Sequence, residues 1–193
     1  MNKSRLRQRS TRWAIWCMAM VAPLGAVCAA TLNVGPSGAD AGNCQSTPCL
    51  TIGYALTQAA ASGDTVLLAA GTYTEQITIA KSVTIEGAGS ASTIVRAPAV
   101  LAVNPVISPG SGGQQTAIVF ATGASTSAVM RNLQIRGPGP SSSGSIGYGV
   151  FVGGNANFTL DTAHITAIRD EPLAGSQNGS GIRFGAPVTS QVG

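Results

Sequence analysis

This chain has little charge and almost no histidine. Asp, Glu, Lys and Arg make up 9% of 193 residues, and His164 is the single histidine. One histidine leaves no histidine-based metal cluster, and no nucleophile motif accompanies it. A phosphate-cradling glycine loop followed by Lys and Ser or Thr is also missing. The longest apolar run, Trp13 to Cys28, falls short of the roughly 20 residues that span a bilayer. What is present is glycine, 25 residues of it, with Thr, Val and Ile recurring in short runs. Such a composition argues for many short strands and tight turns and against a helical architecture.

The positive charge is concentrated at the start. Residues 1–12 carry Lys3, Arg5, Arg7, Arg9 and Arg12 and no acid; the apolar run follows, then Ala29-Ala30 before Thr31. A basic segment, an apolar segment and a small-residue exit are the signature of a secretory signal peptide. The expected division is 1–30 signal peptide and 31–193 mature domain, with cleavage after Ala30, Ala29 or Cys28. A short buried N-terminal helix is the alternative, but five positive charges would then have no acidic partner nearby. Five of the 11 Lys and Arg residues leave with the signal, so six remain against seven acids and the net charge becomes −1. The basic face that a nucleic-acid partner requires is therefore not expected. Of the four cysteines, Cys17 and Cys28 also leave. Cys44 and Cys49 remain as an even pair, for which a disulfide is the expectation in an oxidising compartment.

In the mature part, Ile52, Ala55, Leu56 and Ala59 fall at i, i+3, i+4 and i+7 and predict one amphipathic helix. Leu32-Asn33-Val34 reads as an edge strand before it. After Asp64 the apolar residues alternate in pieces of about three: Val66-Leu67-Leu68, Gly71-Thr72-Tyr73, Ile77-Thr78-Ile79, Val83-Thr84-Ile85 and Ile94-Val95. A sandwich needs strands of about 5–6 residues. Pieces this short suit a chain that bends every few residues and pairs with the layer beneath. An internal repeat agrees: Ala128 to Ile135 lies over Phe158 to Ile165 at an offset of 30. Ile118-Val119-Phe120, Val150-Phe151-Val152 and Ile182-Arg183-Phe184 align at offsets of 32 and 32. Units of roughly 30 residues that cannot bury their own apolar face must stack.

The segments Pro48-Cys49-Leu50-Thr51-Ile52, Ala61-Ser62-Gly63-Asp64, Ala70-Gly71-Thr72-Tyr73-Thr74-Glu75 and Ile85-Glu86-Gly87-Ala88-Gly89 resemble the N-terminal part of bacterial secreted right-handed β-helix proteins of the pectate-lyase-like superfamily. The resemblance covers most of residues 33–90. It implies an all-β fold, a right-handed parallel β-helix of about five coils, with residues 31–63 as an N-terminal cap carrying the helix and residues 64–193 as the coils. No equivalent of the helix is readable after Phe184. The C-terminal end is expected to be uncapped or truncated, and self-association through that last coil is a further expectation.

The resemblance also implies where a ligand would sit, on the outer face of one parallel sheet between its flanking loops. Lyases of this fold need several carboxylates for an ion and a base, and hydrolases need paired carboxylates. With Ile118, Phe120, Val150, Val152, Ile182 and Phe184 taken as inward, the outward residues are Val119, Phe151 and Arg183. The best constellation is then a sugar-binding set of Phe151, Asp170, Glu171 and Arg183, with Phe151 as stacking platform. The competing reading is a solvated loop with a local ion pair and one exposed aromatic. His164, Glu75 and Glu86 read as surface residues, and Asp40 and Asp64 as turn residues bonding the backbone locally. Arg131 and Asp161 should be stacked neighbours. The expected function is that of a secreted, non-catalytic module binding a surface polysaccharide or other macromolecule, with no cofactor, metal, nucleic acid or remaining membrane span. The alternative is a carbohydrate-active enzyme, a polysaccharide lyase or glycosidase, or a truncated relative of one.

Overall fold

The computed structural model of the protein describes residues 29–102, 116–137, 147–169 and 179–185. The expected signal peptide up to Cys28, and Asp170 and Glu171, lie outside the described residues. The elements run β1 (Thr31–Val34), α1 (Ile52–Gln58), β2 (Ser62–Leu68), β3 (Gly71–Thr74), β4 (Ile77–Ile79), β5 (Ser82–Gly87) and β6 (Thr93–Arg96). They continue as β7 (Ala117–Ala121), β8 (Ser127–Arg131), β9 (Gln134–Arg136), β10 (Tyr148–Val152), β11 (Asn157–Asp161), β12 (His164–Thr166) and β13 (Ser180–Phe184).

The strands form three sheets: β1-β2-β5-β8-β11, β3-β6-β9-β12 and β4-β7-β10-β13. Every recorded pairing between them is parallel. Apart from β1, which pairs with the following strand β2 across the helix, the strands thus pair not with their sequence neighbours but with strands one layer away. The result is an all-β protein of stacked parallel strands with one short helix, compatible with a parallel β-helix or solenoid. Among the described residues no helix is long and apolar enough to cross a membrane.

Alternation places one residue in two inside. In the first sheet Leu32, Val66, Ile85, Met130 and Leu160 stand in register. In the second, Tyr73, Val95, Ile135 and Ile165 do so. Ile77, Val119 and Val150 come from the third. All belong to one apolar cluster, buried except for the partly covered Leu160 and Ile165. Bends between sheets use left-handed backbone at equivalent places: Asn132 (φ 56°) and Thr162 (φ 48°) each follow a first-sheet strand. Gly87 serves a different need, since a Cβ there would strike the carbonyl oxygen of Asn132 in the next layer.

The offset of 30 is observed: Ala128 pairs Phe158, Arg131 pairs Asp161 and Gln134 pairs His164. The third sheet departs from expectation. Val150 pairs Ile182 at an offset of 32, but it pairs Val119, not Ile118, at an offset of 31. A one-residue slip exchanges the two faces of a strand. Val119 is therefore in the main core, and Phe120 shares the opposite face with Phe151.

The helix stripe Ile52, Ala55, Leu56 and Ala59 is buried, and α1 packs against β1, β2 and β4. Seven residues make a marginal helix in isolation, and side chains from elsewhere hold both its ends. Thr51 Oγ1 accepts from the Tyr54 amide at 3.1 Å. Glu75 accepts from the amides of Ile52 (2.9 Å) and Gly53 (2.8 Å). Asp40 accepts from the amides of Leu50 and Thr51, both at 2.9 Å, and from the Thr51 hydroxyl at 2.8 Å. At the other end Lys81 Nζ donates to the carbonyls of Leu56 (2.8 Å), Ala59 (2.6 Å) and Thr57 (3.2 Å). Negative charge at the N-terminus and positive charge at the C-terminus match the helix dipole. Glu75 is thus not a plain surface residue, and Asp40 does not bond locally. Asp64 is also more than a turn residue: buried, it accepts from Ala60 nearby and from the Ala30 amide 34 residues away.

Cys44 and Cys49 are disulfide-bonded, with Cα atoms 5.1 Å apart. The loop they close lies along the outer edge of β1. Asn33 donates to the Cys44 carbonyl at 2.6 Å and accepts from the Cys49 amide at 2.9 Å. The loop thereby covers a strand edge that would otherwise be free to pair with another chain. At the opposite end, β11, β12 and β13 are only partly covered, and Ile182 and Phe184 are 39% and 65% exposed.

Two outcomes follow. Replacing both Cys44 and Cys49 by Ala should cost about 2 kcal/mol in urea unfolding, the loop-entropy value for so short a closure; an unchanged midpoint would mean that the loop is held by hydrogen bonds alone. The second concerns pH. Burial pushes the Glu75 carboxyl above its ordinary value of 4.5, outweighing the Ile52 and Gly53 amides, and the Asp40 charge adds to the rise. Its contribution to stability is full below the unfolded pKa and is lost as pH rises through the folded one. For Asp40, slight desolvation is outweighed by the Thr51 amide and hydroxyl and the Leu50 amide, so its carboxyl falls below 3.8. Its contribution is present above the unfolded pKa and lost as pH falls through the folded one. From about pH 7 to about pH 3, the stability margin of wild type over Glu75→Gln should widen and that over Asp40→Asn should shrink. Two margins moving in the same direction would contradict this account.

Candidate functional site

The outward positions of the three sheets differ in kind. On the third sheet Thr78, Phe120, Phe151 and Arg183 stand in one column. Phe151 and Arg183 are direct neighbours in register, as the sequence suggested. The aromatic, however, is not exposed. Phe120 and Phe151 are 2% and 3% accessible and form a second apolar cluster with Ala117, with Tyr148 packed against it. The Phe120 and Phe151 centroids are 6.4 Å apart and those of Tyr148 and Phe151 are 5.5 Å apart. A ring covered to this degree offers no face to a sugar, which corrects the reading of Phe151 as an exposed platform. Arg183 is exposed.

On the first sheet the outward column reads Asn33, Leu67, Glu86, Arg131 and Asp161. Arg131 and Asp161 are neighbours in register as expected, but the ion pair goes to the other side. Arg131 Nη2 lies 2.7 Å from Glu86 Oε2, while Asp161 accepts from the Thr162 hydroxyl at 3.0 Å. Asn132 Nδ2 also reaches Glu86, at 3.4 Å. The half-buried Glu86 is closer to its two partners and is positioned by both. The Glu86 and Arg131 charges are thus paired within the column, although the buried Nε of Arg131 has no hydrogen-bond partner among the described residues.

The second sheet carries what the sequence reading overlooked. Val95 and Ile135 point into the core and are fully buried, so the residues that flank them point out. One outward column is Thr72, Ile94, Gln134 and His164; the other is Thr74, Arg96, Arg136 and Thr166. Arg96 and Arg136 are direct partners and both are exposed, as are Thr72, Thr74 and His164. Four strands about 4.8 Å apart make this face about 14 Å long. It presents guanidinium, hydroxyl, amide and imidazole groups and, among its described residues, no carboxylate. The signal that could have found it was an aliphatic residue followed by Arg at two strand ends, Val95-Arg96 and Ile135-Arg136, at an offset of 40. A proline two residues on, Pro98 and Pro138, repeats at the same spacing.

Chemically, this face can donate hydrogen bonds to hydroxyl and acidic groups along an extended ligand. Its described residues include no paired carboxylates of the glycosidase kind. Among the described residues no group of three or more His, Cys, Asp or Glu side chains is placed to hold a metal ion. No family model matches the chain, and no curated protein matches it in sequence.

The burial of Phe151 makes a sharp test. Phe151→Ala should destabilise the protein by about 3 kcal/mol in denaturant unfolding, the lower range for emptying a buried aromatic site. An exposed platform would cost within about 0.5 kcal/mol, and that result would return Phe151 to the surface.

Proposed function

We propose that the chain is an exported right-handed parallel β-helix module that binds a surface polysaccharide without cleaving it. Several features support the architecture. Each sheet is parallel throughout, and from β2 onward consecutive strands fall to successive sheets in the same order, so those crossovers share one sense. Crossovers between parallel strands of one sheet are right-handed in about 98% of cases. The helix and the disulfide loop lie at the β1 end and read as its cap. The segment resemblance of residues 33–90 to pectate-lyase-like β-helix proteins agrees with this arrangement. Export to the periplasm, the cell surface or the medium is supported by the basic, apolar and small-residue order of residues 1–30 and by the disulfide.

The observation that carries the function is the outer face of the second sheet. Its outward columns carry threonine hydroxyls on the two outer layers and a guanidinium on each of the two inner ones, with one amide and one imidazole beside them, and the layer spacing of about 4.8 Å suits a polymer lying along the stack. Non-catalytic binding fits a face whose described residues include no paired carboxylates. Incubating the protein with neutral glycans and polyuronides, and measuring both retention and new chain ends, tests this. Retention without new reducing or unsaturated ends is the expected result. Such ends accumulating with time would instead make it a glycosidase or a polysaccharide lyase, and no retention of any glycan would remove the reading.

A further inference from the structure

We infer that Arg96 and Arg136 together seat a tetrahedral oxyanion, a sulfate or phosphate ester carried by the polysaccharide. The inference deepens the glycan-binding reading and rests on it. The two guanidinium groups leave β6 and β9 from directly paired positions. The buried Val95 and Ile135 before them fix both on the outer face. Like charges directly opposite across a strand pair are destabilising, and the chain is sparing with charge. These two are a third of the six Lys and Arg residues beyond residue 30. Arg131 on the first sheet is set beside an acid at 2.7 Å. The register neighbours of Arg96 and Arg136 are Thr74 and Thr166, hydroxyls at either end of the column. Two adjacent cations bracketed by hydrogen-bond donors form a seat whose charge an anion balances.

The geometry of the donors selects the anion. A guanidinium presents a planar fork of parallel N–H groups. A carboxylate has two oxygens in one plane, and one fork occupies both. A second arginine one strand away then meets only remaining lone pairs. A sulfate or phosphate ester has three terminal oxygens directed to the corners of a tetrahedron. Two forks from neighbouring strands can share them, and a threonine hydroxyl can donate to what is left. Recognition of an ester also agrees with a face along which a polymer lies, since its backbone extends past the seat over the other outward residues.

The test titrates the full chain with dextran, dextran sulfate, phosphorylated dextran and polygalacturonate matched in charge density, at fixed ionic strength. Arg96→Ala, Arg136→Ala and the double variant Arg96→Lys/Arg136→Lys accompany the wild type. All three sit on the exposed face, and their melting temperatures are measured alongside. At least one esterified dextran should bind more tightly than polygalacturonate, and the sulfated and phosphorylated arms tell which ester. Each alanine variant should weaken that binding by about tenfold, the loss expected for one charge-assisted contact. The lysine pair keeps both charges and should lose the preference for ester over uronate. Ester binding that is unchanged in the alanine variants, or a preference that survives in the lysine pair, overturns the inference. If plain dextran binds equally well to all forms while no ester is preferred, the seat is refuted and the glycan-binding reading stands. If none of the four polymers binds, both fall.

Discussion

A strand of three to seven residues cannot satisfy its own backbone, and every layer of this molecule is organised by that need. Each short strand passes its N–H and C=O groups to strands one layer away, in parallel and in register. Once those partners are set, alternation decides which side chains face inward, and the bore fills with Leu, Val, Ile and Met from the three sheets. The bends follow from the same need. Turning from the first sheet to the second within two residues uses left-handed backbone at Asn132 and Thr162, and the missing side chain of Gly87 lets the carbonyl of Asn132 in the next layer come close.

Stacking also sets what the outside can be. A side chain on an outer face has as its nearest neighbours the residues at the same position one layer away. The three faces show three uses of this rule. The first sheet joins Glu86 to Arg131, so that charge is neutralised within the column. The third gathers Phe120 and Phe151 into an apolar cluster. The second aligns Arg96 with Arg136, which concentrates charge of one sign. Among the described residues only that last arrangement sets two like charges side by side.

The sequence showed the helix and the first-sheet repeat because both leave periodic traces. Ile52, Ala55, Leu56 and Ala59 mark one helical face, and Ala128 to Ile135 and Phe158 to Ile165 share both pattern and spacing. It misplaced the third sheet by one residue because Ala117-Ile118-Val119-Phe120-Ala121 is apolar at all five positions. With no polar residue to mark the outside, either face could be inward, and hydrogen bonding to β10 decides. The same ambiguity hid the burial of Phe151, which depends on Phe120 being its outward neighbour. Asp40 and Glu75 were unreadable for another reason. Their bonds to the start of α1 cross 10 to 23 residues, and a contact between a side chain and a distant amide leaves no period in a sequence. Arg96 and Arg136 did leave a trace, but at a spacing of 40, unlike the spacings near 30 seen later in the chain.

Glu75 and Lys81 have a mechanical consequence. They flank β4 on its two sides in sequence, and between them they make five hydrogen bonds to the two ends of α1. The strand therefore works as a buckle across the helix. A force pulling on the chain ahead of α1 cannot peel the helix away one turn at a time, because its first and last turns are fastened to the same strand. The helix and its buckle must let go together, so under tension this end should yield in a single rupture event and not by gradual unravelling.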